Sequence, residues 1–185
     1  GISLAAVMLG VAALIIVMSV MNGFRAELFD KIVGLNGHAV VQGYGGRLPE
    51  WKSVLREAKA TPGVTSATPM IEQPLLATFQ GRVEAILVRG MTVGDIRTNS
   101  TLKAKVIAGN LNSLTPNGGK VGIGARLAEN LGIQLGDSIT IINPAGRSTP
   151  FGTVPRQVAY QVGAIFEVGI YDYDKAFVVM PMEDA

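Results

Sequence analysis

The sequence predicts an α+β protein in which a membrane-crossing N-terminal helix precedes a mixed-sheet domain with a projecting hairpin arm. Three observations predict it. Residues 1–24, GISLAAVMLGVAALIIVMSVMNGF, carry no charge, and about 20 such residues span a hydrocarbon core. After Phe24 the composition is that of a soluble domain, in which strand-like and helix-like stretches alternate. Finally, the strand-like SITII (138–142) and VAYQVGAIF (158–166) are separated by residues 143–157, which hold three prolines, two glycines and Phe151. Hairpin loops ordinarily take about two to five residues, so this connection builds something more than a return.

The first segment has neither a basic n-region nor a small-residue cleavage site, which sets it apart from a signal peptide. It opens directly in apolar sequence without methionine, so a larger membrane protein is expected, and the positive-inside rule cannot orient the helix without its upstream flank. Ala6, Gly10 and Ala13 place small side chains on one face, which suits close approach of a second helix; a lone anchor with an incidental glycine is the open alternative. Phe24, Leu28, Ile32 and Leu35 continue at helical spacing, and Glu27 with Lys31 is a favourable i,i+4 pair. The expected organisation is a membrane helix over 1–24, a stalk helix over 25–36 ending near Gly34 and Gly37, and a domain over 37–185 that continues beyond the chain.

Within that domain HAVVQ (38–42) reads as a strand and GYGGRLP (43–49) as a loop. PEWKSVLREAKA (49–60) is an amphipathic helix with Pro49 in its first turn and Trp51, Val54, Leu55 and Ala58 as its buried face. Two long strands over 65–79 and 82–91 meet at the QGR turn, and KVIAG (105–109) adds another. Residues 118–142 read strand, helix, strand, with Gly132 as the helix C-cap. Two last strands flank YDYD (171–174), read as a solvated turn.

Catalytic chemistry is nearly absent from the sequence. His38 is the single histidine and there is no cysteine, which removes histidine clusters, thiol chemistry and disulfides. GYGG and GGKVGIG lack the spacing of phosphate-binding loops and read as turns. Asp172 and Asp174 are two carboxylates without further ligands nearby, too few for a cation site. A net charge of +2 gives no footprint for nucleic acid. No cofactor is expected, and any ATP and Mg must be bound by a partner.

The long connection remains. Thr149-Pro150-Phe151-Gly152 fits a type I turn with proline second and glycine fourth, which throws Phe151 outward. Pro144 and Pro155 stiffen the legs, Arg147 and Arg156 bracket the tip, and no acidic residue occurs between Asp137 and Glu167. A stiff basic arm with an aromatic tip suits docking; a loop that folds back and buries Phe151 is the open alternative.

LGVAALIIVMSVMNGFRAELFDKIVGLNGH resembles the end of the first membrane helix of lipoprotein-releasing transmembrane subunits, the LolC/LolE family, with SVMNGF and GLN as the specific part. GIGARLAENLGIQLGDSITI and KAFVVMPMEDA resemble the MacB-like periplasmic core domain shared with wider exporters. The resemblance covers essentially the whole chain. It implies a non-catalytic subunit of an ABC-type complex in the Gram-negative inner membrane, with the domain after residue 24 in the periplasm. Implied partners are a LolD-like ATPase, a second transmembrane subunit (a second copy or a LolE-like paralogue), acylated lipoproteins and the periplasmic carrier LolA. STPFGTVPRQ resembles the hook of LolC-type subunits, which grips the carrier. The implied hook is Arg147, Ser148, Thr149, Pro150, Phe151, Gly152, Thr153, Val154 and Pro155. A basic and polar pad lies at the hook's base in the family; Gln157 matches one of its positions, Thr140 and Val158 stand at others, and Arg156 is the nearby basic replacement. The resemblance also sets Val17, Val20, Met21 and Phe24 beside lipoprotein acyl chains, with ordinary helix or lipid packing as the alternative. A MacB-like exporter or an FtsX-like regulatory subunit is the runner-up, and three further membrane helices are expected beyond the chain.

Overall fold

The computed structural model describes the backbone of residues 2–149 and 152–185, and the side chains of all of these except 26–36, 147–149 and 153. The chain divides into two compact units, Gly1–Val41 and Gln42–Ala185.

In the first unit, helix α1 (Ile2–Asn36) runs without a break through the expected membrane segment and beyond it. Its Ile2–Arg25 part is long and apolar enough to cross a membrane. Gly37, at φ 68°, follows its last residue and leaves the helical conformation, as a glycine can at no steric cost. The strand expected over 38–42 is not among the strands of the described residues, and Val40 and Val41 are exposed. Strand propensity describes fit to a neighbouring edge rather than an intrinsic preference, so local composition alone does not make a strand.

The second unit begins with a short 3-10 turn and helix α2 (Trp51–Ala60), where Glu50 rather than Pro49 directly precedes the helix. Its Trp51, Val54, Leu55 and Ala58 stripe is only half-buried, less covered than its pattern predicts. Strands β1 (Met70–Phe79) and β2 (Arg82–Met91) form the expected hairpin. β1 begins later than predicted, after Pro69, which has no N–H for a ladder. Gln80 and Gly81 between them both have positive φ, 47° and 81°, the pattern of a type I′ turn that matches strand twist. Helices α3 (Val93–Thr98) and α4 (Ser100–Ala104) follow, capped by the side chains of Thr92 and Asn99. Then come β3 (Val106–Gly109), β4 (Lys120–Gly124), α5 (Ala125–Leu131), β5 (Ser138–Thr149), β6 (Gly152–Phe166), α6 (Tyr171–Ala176) and β7 (Phe177–Pro181). Gly132 ends α5 in the left-handed conformation, as its position in the sequence predicts.

The sheet order is β3-β6-β4-β7-β2-β1-β5, and β5 pairs again with β6. The hydrogen-bonded circuit β6-β4-β7-β2-β1-β5 therefore closes on itself, with β3 outside it. Parallel pairs β2–β7 and β4–β6 sit among antiparallel ones, which bears out the mixed sheet. β6 makes closure possible by its length: its first half pairs with β5 and its second with β4. Alternate residues of the six strands point inward, including Ala77, Ile86, Val88, Val121, Ile123, Ile139, Ile141, Tyr160, Val162, Val178 and Met180. Leu127, Ala128 and Leu131 of α5 join this core at the end where Arg82 Nη1 donates to Asn130 O at 3.2 Å.

YDYD is not a solvated turn. It is the body of α6, and while Asp172 is exposed, Asp174 is buried and accepts hydrogen bonds from Val168 N (2.7 Å) and Gly169 N (2.9 Å). Its oxygens are taken by backbone donors, which fixes the corner between β6 and β7.

Candidate docking arm

The stretch 143–157 is not an irregular loop. β5 and β6 continue through it as a two-stranded hairpin, with Arg147 opposite Val154, Ser148 opposite Thr153 and Thr149 opposite Gly152. The barrel seam between β1 and β5 holds only three pairs, the last being Leu76 with Ile142. Past Ile142, β5 and β6 thus have only each other as ladder neighbours among the described residues.

An irregularity lies at the arm's root. The β5–β6 register is continuous to Asn143 opposite Arg156, then shifts, and resumes at Arg147 opposite Val154. Pro144, Ala145 and Gly146 on one strand therefore face Pro155 alone on the other. The Asn143 side chain accepts the Ala145 N–H at 3.0 Å, diverting it from the ladder. Gly146 has φ 46°, and a Cβ there would lie 2.0 Å from Val154 O, so this bulge needs glycine.

Of the hook residues, Pro150 and Phe151 lie outside the described residues, as do the side chains of Arg147, Ser148, Thr149 and Thr153. Gly152 has φ 120°, a conformation that favours glycine, and Val154 and Pro155 are exposed. Thr149 and Gly152 are the last paired residues described on the two strands of the arm.

The three pad candidates do not share one surface. Strand alternation puts Thr140 and Gln157 on the outer face, since their neighbours Ile139, Ile141 and Val158 point into the core. Arg156 turns to the other side, where it borders a concavity with Asn143, Val158 and Tyr160. Its charge reaches Tyr160: burial pushes that phenol up, Asp184 adds to the rise, and Arg156 pulls it back down. Arg156 and its neighbour Gln157 therefore leave the strand on opposite faces.

This concavity is the open mouth of the barrel, opposite α5, walled by Ile71, Leu75, Val88, Ile141, Val158 and Met180. Tyr160 Oη donates to Asp184 O at 2.8 Å at its edge. Burial raises the Asp184 carboxyl, while the Asn117 and Gly119 backbones act in the opposite direction. No charge run or motif announced this mouth; it exists because distant strands close a ring.

In α1, Val17, Val20, Met21 and Phe24 lie at i, i+3, i+4 and i+7 on one exposed helix face. Among the described residues no group of three or more His, Cys, Asp or Glu gathers as a metal site.

The MacB-like periplasmic core domain family matches residues 1–185. The chain belongs to that family. Its sequence is also similar to the lipoprotein-releasing system transmembrane protein LolC of Neisseria meningitidis serogroup B, at 31% identity over 100% of this chain and 44% of the relative. LolC of Xylella fastidiosa (strain Temecula1) is 33% identical over 98% of this chain and 44% of its own length. LolE of Haemophilus influenzae is 24% identical over 96% of this chain and 43% of its own length. The resemblance read from SVMNGF and the periplasmic motifs is thus borne out, and this MacB-family chain spans less than half the length of these relatives.

Proposed function

We propose that the chain is the first membrane helix and periplasmic domain of an ABC-type transport permease that releases lipoproteins from the inner membrane of a Gram-negative bacterium. The observation that carries this reading is similarity to LolC sequences over the whole chain, with the two-stranded arm between β5 and β6. In this reading a LolD-like ATPase drives extraction, a second transmembrane subunit completes the pathway, and the arm holds a LolA-type carrier that accepts the load. The physical chemistry favours that division: withdrawing an acyl chain from a bilayer costs about 0.8 kcal/mol per CH₂, so extraction needs an energy source, an apolar holding site and an acceptor.

Val17, Val20, Met21 and Phe24 are proposed to contact the acyl chains, with Met21 supplying a flexible surface for varied cargo. Photo-crosslinkers placed at 17, 20, 21 and 24 in the complete complex should capture acylated lipoprotein, and ATP with carrier should reduce that capture. Labelling confined to phospholipid and neighbouring helices refutes the acyl-contact assignment.

A further inference from the structure

Extended by one or two residues, the two ladders at the arm's root would bring three prolines to one level. Continuing the β1–β5 register by two residues past Leu76 opposite Ile142 would set Pro74 against Pro144. Continuing the β5–β6 register by one residue past Asn143 opposite Arg156 would set Pro155 against the same Pro144. In an antiparallel ladder a residue exchanges both hydrogen bonds with the neighbour on one side only, and the sides alternate along the strand. Whichever side the Pro144 nitrogen faces, the residue opposite is another proline. Both bonds of that pair are therefore missing, and the observed ladders stop or shift here.

We infer that Pro74 is a positioning residue for the arm, although it lies in β1 and outside the arm sequence. It stops the free half of β1, Met70–Leu75, from zipping onto residues 143–149 and laying the arm along the barrel wall. Pro74 is exposed and its other edge is in register with Leu87 of β2, so it serves the hairpin without hindrance while denying the seam a donor. Pro144 and Pro155 act on the same level from within the arm. This inference rests on the docking role proposed for the arm, but its structural half can be measured without a carrier.

The chain contains no cysteine, so spin labels can be placed cleanly at Val83→Cys and Val154→Cys, both exposed. The full chain in detergent is compared with Pro74→Val and Pro74→Val/Pro144→Val. Zipping should lower amide exchange in 70–75 and 143–149 at least tenfold in the double variant and shift the label-to-label distance, with the melting temperature kept or raised. Carrier binding should fall in parallel. Unchanged exchange and distance in both folded variants would overturn the positioning role, as would dimerisation through β1, which would make Pro74 a guard against edge pairing. A shifted arm with undiminished carrier binding leaves the positioning role intact and removes the docking role instead.

Discussion

Phe151→Ala should weaken binding of the periplasmic carrier by roughly 30-fold or more while leaving the melting temperature of the chain within about 1 °C. The first figure follows from the docking proposal: an aromatic anchor that fills a partner's pocket commonly costs 2 kcal/mol or more on truncation, and each 1.4 kcal/mol is about tenfold. The second follows from the arm's place in the fold, because Thr149 and Gly152 are paired at the far end of the β5–β6 ladder, away from the core residues. A stiff hairpin also loses less conformational freedom on binding than a slack loop of the same length. Arg147 and Arg156 should matter less, acting mainly on the association rate at low salt. Titration of carrier against wild-type and Phe151→Ala chains, with thermal melts of both, separates the two readings of the tip. Unchanged affinity with a melting temperature lowered by several degrees would mean that Phe151 packs on its own domain, and the hook proposal would fall.

The arm also marks where sequence reading stopped. Its prolines and glycines predict a loop, yet β5 and β6 run through it, because a bulge at Pro144–Gly146 absorbs both prolines at one level. Local composition registers the breakers but not the register that aligns them, since Pro74 comes from a strand 70 residues earlier. Features set by neighbouring residues were legible: the uncharged helix, the hairpin at Gln80-Gly81, and α5 ended by Gly132. The strand expected over 38–42 is not assigned among the described residues, since β-propensity without specified pairing does not make a strand. Barrel closure depends on β6 meeting β5 and β4 along different halves, a pairing between remote segments that no window of sequence displays. Among the site candidates, the 17-20-21-24 set was implied by the family resemblance, and the unbroken α1 puts its members on one helix face. For the pad candidates, the sequence did not display that alternation turns Arg156 to the face opposite Gln157.

Asp174→Ala should cost the domain about 2–5 kcal/mol and lower its melting temperature by roughly 5–15 °C, given about 2–4 °C per kcal/mol for a domain of this size. Its carboxylate is the acceptor for two backbone donors, Val168 N and Gly169 N, and Val168 itself is fully buried. Removing the acceptor leaves the buried Val168 donor with a desolvation penalty of about 1–3 kcal/mol on top of two lost charge-assisted hydrogen bonds, while the exposed Gly169 N–H can turn to water. The surroundings leave little room to compensate: a Cβ on Gly124 would lie 2.2 Å from Asp174 O, so β4 and α6 already touch backbone to backbone. Asp174→Asn keeps one acceptor oxygen but presents an amide NH₂, itself a donor, to the second N–H, and should fall between wild type and alanine. Asp172→Ala is the control, since Asp172 is exposed in the same helix and should change stability by less than about 0.5 kcal/mol. Denaturant melts of the three variants decide the matter. Equal, small losses at 172 and 174 would return YDYD to the solvated turn its sequence suggests, whereas a loss confined to 174 shows that this carboxylate holds the corner from which β7 enters the barrel.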